Sequence, residues 1–414
     1  MILSTNDPVH VAFAGLDLNG ICISRSNGNA IVKLSSGYNI CVPEECCTST
    51  LEHLEQKSQQ NTVIEPLEQD ANLPLLSIVS TGGTIASTVD YRTGAVSSKF
   101  TAEDIIRSIP ELAKIARYRT AQPFNILSEN MSPSMWQELG RAVYNEISSG
   151  AAGVIVTHGT DTMLYSAAAI SFMLTTPVPV IFVGAQRSAD RPSSDNTMNM
   201  ICSAKAGVSE LGEVVVCMHA TSDDVECAIH RATRVRKNHT SRRDAFQSIG
   251  RTPVGIVSYP DGTVILEKDA IRRGTHEPQL LEKIESHCGL LQYYPGMDPK
   301  VFNAFSGYAG LVIAGTGLGH VGTHCIAKIA ELSASGTLIV MTSQCQAGNV
   351  CDRVYETGRD LLNAGVIEGG CMLPEVALVK LMWVLGNTTS REEAVRLMQT
   401  NLKGELDYNL RRNR

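Results

Sequence analysis

The strongest constraint on the fold is a regular alternation of short apolar runs and amphipathic segments that begins near Leu73. The runs have the length of buried strands, and the segments between them repeat apolar residues at helical spacing, as in every fourth residue from Met135 to Ile147. This alternation is typical of a parallel sheet that helices cover on both faces. We therefore predict an α/β fold, with strands at 75–80, 153–157, 178–183, 213–218, 310–314 and 337–341 and helices at 101–109, from 132 onward, 162–174, 196–209, 323–334, 373–385 and 390–402.

The chain before this region has a different character. Residues 1–48 contain short apolar runs separated by the pairs Asn19-Gly20, Asn27-Gly28 and Ser36-Gly37, which are hairpin turn signals. They predict a small all-β, barrel-like N-terminal domain. We predict that the polar stretch 49–74 is a linker and that residues 75–266 form a catalytic α/β domain. Residues 267–308 are then a connecting segment, and residues 309–414 form a smaller α/β domain.

Composition excludes several classes of function. Lys and Arg number 35 against 42 Asp and Glu, a net charge of −7, which argues against a protein that only binds nucleic acid. No GxxxxGK[ST] segment offers an ATP site, and no CxxC or HExxH offers a dedicated metal site. The 12 cysteines have no regular spacing, residues 1–19 show no secretory pattern and no apolar stretch could span a membrane. We expect reduced thiols, a cytoplasmic location and no membrane contact.

Two threonine-containing segments directly follow predicted strands. They are Ser-Thr-Gly-Gly-Thr-Ile-Ala at 80–86 and Thr-His-Gly-Thr-Asp-Thr at 157–162. Either could be an ordinary turn and helix cap, but ligands of open α/β sheets bind at the carboxyl ends of strands, so the pair favours a site. A threonine hydroxyl is a weak nucleophile that needs a base. Asp161 could orient a lysine for that role, although the pattern does not say which lysine.

Two further segments are weaker candidates. Gly-Thr-Gly-Leu-Gly at 315–319 follows a strand but lacks the GxGxxG spacing of a dinucleotide site. Six positive charges lie between Arg231 and Arg243. Such a run is usually a solvated segment, and an active-site or interface loop is the alternative.

The motifs STGGTIAS at 80–87 and THGTDTM at 157–163 resemble signatures of the L-asparaginase family of amidohydrolases. The similarity runs from about Leu75 to Leu402 and implies a parallel-sheet catalytic domain followed by a smaller α/β domain. The resemblance implies that Thr84 is the first catalytic threonine and that Thr160, with its acidic neighbour Asp161, is the second. It implies that Lys237, which Phe246 follows nine residues later, is the catalytic lysine. It also implies that Tyr91 is a loop tyrosine and that Ser128 and Glu129 bind the α-amino and α-carboxylate groups of the substrate.

Three other segments are similar to one group within this family. KLSSGYNI at 33–40, VRKNHTSRRDAFQSIG at 235–250 and VYETGRDLLNAGVIEGG at 354–370 resemble the glutaminase subunits of archaeal Glu-tRNA(Gln) amidotransferases. The resemblance implies that the chain hydrolyses L-glutamine and passes ammonia to a partner, the E-type subunit of the amidotransferase, which uses ATP to convert Glu-tRNA(Gln) to Gln-tRNA(Gln). It further implies no cofactor in this chain, ATP and Mg at the partner, tRNA contact mainly through that partner, and a homodimer within a heterotetramer. Cys371 stands where an acidic residue is expected.

Two alternatives remain at this point. One is a free-standing asparaginase or glutaminase, which would not need the N-terminal β module. The other is a non-catalytic tRNA-binding or scaffold subunit, against which the net charge and the threonine pair argue. The enzyme hypothesis makes one geometric prediction, namely that Lys237 folds back toward Thr160 and Asp161.

Overall fold

The computed structural model describes residues 7–13, 15–26, 28–34, 39–49, 69–82, 88–89, 96–97, 108–187, 193–351 and 353–407. The chain begins with an antiparallel five-stranded sheet in the order β4-β3-β2-β1-β5. Alternate residues such as Val9, Val11 and Val32 point into its small apolar core. The predicted all-β region is confirmed. Its strands are β1 (Pro8–Phe13), β2 (Leu16–Ser26), β3 (Asn29–Leu34), β4 (Asn39–Pro43) and β5 (Cys47–Ser49).

The part of the middle region that the structure describes forms one large sheet and three short strand pairs. The strands, in chain order, are β6 (Leu75–Ser80), β7 (Thr88–Val89), β8 (Val96–Ser97), β9 (Arg117–Ala121), β10 (Gly153–Thr157), β11 (Leu174–Thr175), β12 (Val180–Val183), β13 (Val214–His219), β14 (Glu226–Arg231), β15 (Val235–Lys237), β16 (Phe246–Ser248), β17 (Gly255–Ser258), β18 (Val264–Leu266) and β19 (Gln279–Leu280). The pairs are β7 with β8, β11 with β19, and β15 with β16.

The large sheet has eight strands in the order β18-β17-β14-β13-β12-β10-β6-β9. The strands from β13 to β9 are parallel, as predicted, whereas β14, β17 and β18 run antiparallel. The predicted parallel sheet is confirmed, and β14, β17 and β18 extend it at one edge with antiparallel pairing. Only residues 220–225 connect β13 to β14, and a parallel crossover needs about a dozen residues or more.

Within the described residues, three helices cover this sheet: α1 (Pro133–Ser148), α2 (Met163–Met173) and α3 (Asn196–Gly207). Ser132 precedes α1 as predicted, but its hydroxyl contacts Ser134 rather than capping the helix. Helix α2 is apolar on nearly all sides and almost fully buried. A helix of this kind needs cover all round, and α2 obtains it from the large sheet and from a helix of the next region.

The last part of the chain builds a parallel sheet of β20 (Cys288–Gln292), β21 (Gly310–Gly315), β22 (Leu338–Ser343) and β23 (Ile367–Glu368). Its helices are α4 (Thr323–Ala334), α5 (Glu356–Asn363), α6 (Pro374–Asn387) and α7 (Arg391–Met398). Helix α6 packs on α2, so one apolar cluster joins α2 to the smaller sheet. The sequence prediction missed β20, β23 and α5, and it made α7 too long.

Some sequence predictions lie outside the described residues. These are most of the helix at 101–109 and most of the linker at 49–74. Among the residues that the structure does describe, no helix is long and apolar enough to cross a membrane.

A buried ion pair holds the end of the chain against α6. Lys380 is fully buried, and its Nζ lies 2.6 Å from Oε1 of Glu405 and donates to the carbonyls of Met398 (3.0 Å) and Thr400 (2.6 Å). Burial lowers the pKa of Lys380, and the charge of Glu405 opposes that effect. The Glu405 carboxylate also accepts the backbone N–H groups of Leu402 and Lys403. The pair therefore fixes residues 398–405 as one unit.

We predict that Lys380→Met lowers the free energy of unfolding by about 3–5 kcal/mol, because it leaves Glu405 buried without its partner. Lys328→Met is the matched control. It removes a more exposed pair on α4, and the loss should stay below about 1 kcal/mol. Urea unfolding followed by circular dichroism measures both. Equal effects of the two substitutions would contradict this account of the pair.

Candidate active site

The two threonine-containing segments meet at the carboxyl ends of β6 and β10. Thr81, directly after β6, donates its backbone N–H and its hydroxyl to the carbonyl of Thr157, at 3.1 and 3.0 Å. Gly82 has φ +104°, and a Cβ there would lie 2.5 Å from the carbonyl oxygen of Ile126, so only glycine fits. Thr84 and Tyr91 lie outside the described residues, and their roles stay predictions.

A chain of buried hydrogen bonds holds the loop that follows β10. Trp136 Nε1 donates to Ser166 Oγ at 3.0 Å, and Ser166 Oγ lies 2.8 Å from His158 Nε2. His158 Nδ1 lies 2.7 Å from the Gly159 carbonyl, which can only accept, so the ring proton is on Nδ1 and Ser166 donates to Nε2. Burial lowers the pKa of His158 to about 4, so the ring is neutral at pH 7. The network orients the loop immediately before Thr160.

Thr160, Asp161 and Lys237 come together as predicted. The Nζ of Lys237 donates to Thr160 Oγ1 at 2.9 Å and to Asp161 Oδ1 at 2.7 Å. Thr160 is buried and the Lys237 side chain is only 11% exposed, whereas the Asp161 side chain is 70% exposed. The amine thus lies between a buried hydroxyl and a carboxylate that faces solvent, and the predicted contact is confirmed.

A two-stranded hairpin positions Lys237. In the β15–β16 pair, Lys237 lies opposite Phe246, which is 1% exposed. The spacing of nine residues between them is the length of this hairpin, and the buried ring anchors the strand that carries the lysine. The loop between the strands borders a cavity of about 260 Å³, which Asp161, Lys237 and residues 238–240 line.

The loop residue His239 is part of the site that the sequence analysis did not identify. Its Nδ1 accepts the backbone N–H groups of Ser241 and Arg242, both at 3.0 Å. The ring therefore carries its proton on Nε2. The one sequence feature that could have identified His239 is its position two residues after Lys237. His158 was likewise overlooked, although it lies inside the second motif.

The predicted substrate-binding residues lie in a short 3-10 turn, Ser128–Asn130, beside the same loop. Ser128 is buried, its carbonyl accepts the Thr162 hydroxyl at 2.6 Å, and a Cβ on Gly159 would lie 2.7 Å from its own Cβ. Glu129 is exposed. The fold brings Ser128 next to the Thr160 loop, while the binding roles of both residues stay predictions.

The basic run around Lys237 is not a free positive surface. Five of its six cations contact a carboxylate: Arg231 with Glu213, Arg236 with Glu375, Lys237 with Asp161, Arg242 with Asp244, and Arg243 with Asp224. The sixth, Arg234, donates to the carbonyls of Gly404 and Cys371 and to the Cys371 sulfur. Because these contacts neutralise its charges, the basic run is better explained as an active-site segment than as a solvated one.

Comparison with known proteins agrees with this geometry. Residues 75–272 match the family described as Asparaginase, N-terminal, and residues 287–398 match the Glutaminase/Asparaginase C-terminal domain. The structure of the thermostable L-asparaginase from Thermococcus kodakarensis is 31% identical in sequence to this chain, with a TM-score of 0.72. The match covers 80% of this chain and 99% of the asparaginase chain. L-asparaginase I from Vibrio cholerae is 26% identical, with a TM-score of 0.70, and the match covers 81% of this chain and 99% of the asparaginase chain.

Longer matches include the N-terminal module. The D-type subunit of the glutamyl-tRNA(Gln) amidotransferase of Methanosarcina mazei is 48% identical over 98% of this chain and 99% of its own length. The subunit of the same name from Archaeoglobus fulgidus is 50% identical over 96% of this chain and 94% of its own length. These relatives share the module that the asparaginase structures do not cover, which favours the amidotransferase hypothesis over a free-standing asparaginase. The chain belongs to the asparaginase family and, within it, to the group of D-type subunits of glutamyl-tRNA(Gln) amidotransferases.

Proposed function

We propose that the chain is the glutaminase of a tRNA-dependent amidotransferase and that it supplies ammonia for converting Glu-tRNA(Gln) to Gln-tRNA(Gln). The observation that carries this proposal is the contact of the Lys237 amine with both Thr160 Oγ1 and Asp161 Oδ1. Amide hydrolysis by a hydroxyl nucleophile needs a group that removes the hydroxyl proton, and this arrangement provides one. The D-type relatives supply the substrate context.

The chemistry follows from the positions of the groups. A threonine hydroxyl adds to the side-chain carbonyl carbon of glutamine, and its proton passes to a nitrogen base. The C–N bond breaks, ammonia leaves with a proton, and an ester to the threonine remains, which water then hydrolyses to glutamate. Lys237 in its unprotonated form is the base for Thr160, and Asp161 holds the amine in line. Thr84 is the other catalytic threonine in this proposal, the first of the two in chain order, and the family resemblance supports it.

Substrate binding is assigned to the rim of the site. We assign Ser128 and Glu129 to the α-amino and α-carboxylate groups of glutamine and Tyr91 to a loop that acts on Thr84. The position of Ser128 against Gly159, one residue before Thr160, supports this assignment. The adjacent cavity of about 260 Å³ has room for a molecule of this size.

The remaining assignments concern the complex. The partner is the E-type subunit of the amidotransferase, which holds ATP and Mg and carries most of the contact with Glu-tRNA(Gln). This chain holds no cofactor or metal of its own, works as a homodimer within a heterotetramer and is cytoplasmic. The name of the relatives, which designates one of several subunits, supports a heteromeric complex.

Replacement of Lys237 by Met tests the central contact. We expect glutamine turnover to fall by about 10²–10⁴-fold, the usual worth of a positioned acid–base group. Glutamine binding should survive, because other residues hold the α-groups. Steady-state glutamate release and isothermal titration measure the two effects. Lys268→Met, at an exposed lysine, is the control, and wild-type turnover of Lys237→Met would remove the amine from the mechanism.

The two threonines are predicted to be separately essential. Thr160→Ala and Thr84→Ala should each lower glutamine hydrolysis by on the order of 10³-fold or more, since each removes a nucleophile or its activating partner. Circular dichroism shows whether the variants are folded. A folded variant with near-normal hydrolysis would show that its threonine has no catalytic role.

Activity is predicted to depend on the partner. Hydrolysis without transfer would waste glutamine, so the isolated chain should turn over glutamine slowly until the E-type partner and Glu-tRNA(Gln) are added. Gln-tRNA(Gln) should form only with both proteins and ATP. Full-speed hydrolysis by the isolated chain, unchanged by the partner, would contradict the coupling.

A further inference from the structure

A row of buried polar side chains begins at a loop that packs on Thr160. The loop is residues 184–187, directly after β12, and a Cβ on Gly184 would lie 2.9 Å from Cγ2 of Thr160. Asp195 is fully buried, and its carboxylate accepts two backbone N–H groups of this loop, at 3.0 and 2.9 Å. The carboxylate therefore fixes the backbone that lies against the catalytic threonine.

Asn199 connects this loop to His219, the last residue of β13. Its Nδ2 donates to the Gly184 carbonyl at 3.0 Å and to Asp195 Oδ2 at 2.9 Å, so its amide has a fixed orientation and Oδ1 faces His219. That oxygen accepts the backbone N–H of His219 at 3.1 Å and the Cys227 thiol at 3.5 Å, and it lies 2.6 Å from His219 Nδ1. Because an amide oxygen only accepts, the imidazole carries a proton on Nδ1.

The other side of the His219 ring faces the hairpin that carries Lys237. Its Nε2 lies 3.2 Å from Asp224 Oδ1, and the same oxygen accepts Nη1 of Arg243 at 2.6 Å. Arg243 belongs to the loop between β15 and β16. We call the five side chains of this row the His219 network: Asp195, Asn199, His219, Asp224 and Arg243. The network joins the loop at Thr160 to the hairpin of Lys237.

One contact of the His219 network needs a second proton on the ring. With Nδ1 protonated, a neutral imidazole presents only a lone pair at Nε2, and an ionised carboxylate has no proton to donate to it. The contact with Asp224 is therefore a hydrogen bond only when the ring is an imidazolium. Burial lowers the pKa of His219, the carboxylates of Asp224 and Asp195 oppose that shift, and the charge of Arg243 adds to it. The ring is thus neutral at pH 7 and gains the bond to Asp224 as the pH falls.

We propose that His219 is a positioning residue for amide hydrolysis and that its imidazolium holds the hairpin of Lys237 against the loop at Thr160. The assignment rests on the proposed glutaminase function. His219 acts through Asn199 on one side and Asp224 on the other, and not on the reacting atoms. What it sets is the distance between the Lys237 amine and the Thr160 hydroxyl, on which proton transfer depends.

Asp224→Asn tests the assignment, because an amide group can donate to the Nε2 lone pair of a neutral His219 and the contact then no longer needs the second proton. Glutamate release by the complex with the E-type partner, Glu-tRNA(Gln) and ATP is measured over about pH 5–8, where histidine titrates. Dividing kcat of the variant by kcat of the wild type removes the titration of Lys237, which both proteins share. The ratio should fall by about tenfold toward acid pH, the worth of one hydrogen bond between charged groups. The fall should follow a single proton, and KM for glutamine should be the same in both proteins.

Asp223→Asn is the matched control. It removes the same charge from the exposed neighbouring position, and its ratio should not change with pH. Arg243→Gln cuts the link to the hairpin, so in that background Asp224→Asn should no longer alter the pH dependence. The Asp224 side chain is 59% exposed, so its replacement leaves the core intact.

A ratio for Asp224→Asn that stays constant with pH would overturn the proposal. A pH-dependent ratio that survives Arg243→Gln would overturn it as well, because His219 would then not act through the hairpin. Absence of glutamine hydrolysis by the wild-type complex at every pH would instead refute the proposed function.

Discussion

The contact of the Lys237 amine with the Thr160 hydroxyl and the Asp161 carboxylate is the interaction on which the site depends. Its partners are 77 and 76 residues apart in the chain, so it exists only when the large sheet and the β15–β16 hairpin are both in place. Thr160 and Asp161 come from the carboxyl end of a central parallel strand, and Lys237 comes from the hairpin that follows the antiparallel strand β14. Strand β14 runs back toward the amino ends of the parallel strands, and a turn at 231–234 reverses the chain again before β15.

Much of the fold and of the site could be predicted because short sequence segments determine the turns, loops and strands in question. The Gly82 turn and the Thr160 loop are motifs with a steric cause, and the strand lengths follow from apolar runs. The reversal at β14 was missed because Glu226, His230 and Arg231 interrupt the apolar pattern of that strand, so no strand was predicted there. The lysine was named only through the family resemblance, since antiparallel pairing with Phe246 is invisible in composition.

Other features depend on contacts between distant segments and could not be predicted. The pairing of five of the six cations between Arg231 and Arg243 with carboxylates requires side chains from several loops and from α6. The cavity of about 170 Å³ between Arg236, Gln292, Gln344 and Glu375 likewise needs β15 and the smaller sheet together. Cys371 replaces an expected acidic residue, and the structure pairs its sulfur with the buried Arg234 at 2.9 Å. The domain boundaries drawn from composition remain predictions.

The most direct measurement of the central claim is chemical rescue. Lys237→Ala in the complex removes the amine and leaves space for a small primary amine beside Thr160. We predict that glutamine hydrolysis is nearly lost in this variant and returns in proportion to added ethylamine, whereas ethylamine has no such effect on Thr160→Ala. Wild-type hydrolysis by Lys237→Ala without any added amine would contradict the claim that this contact carries the reaction.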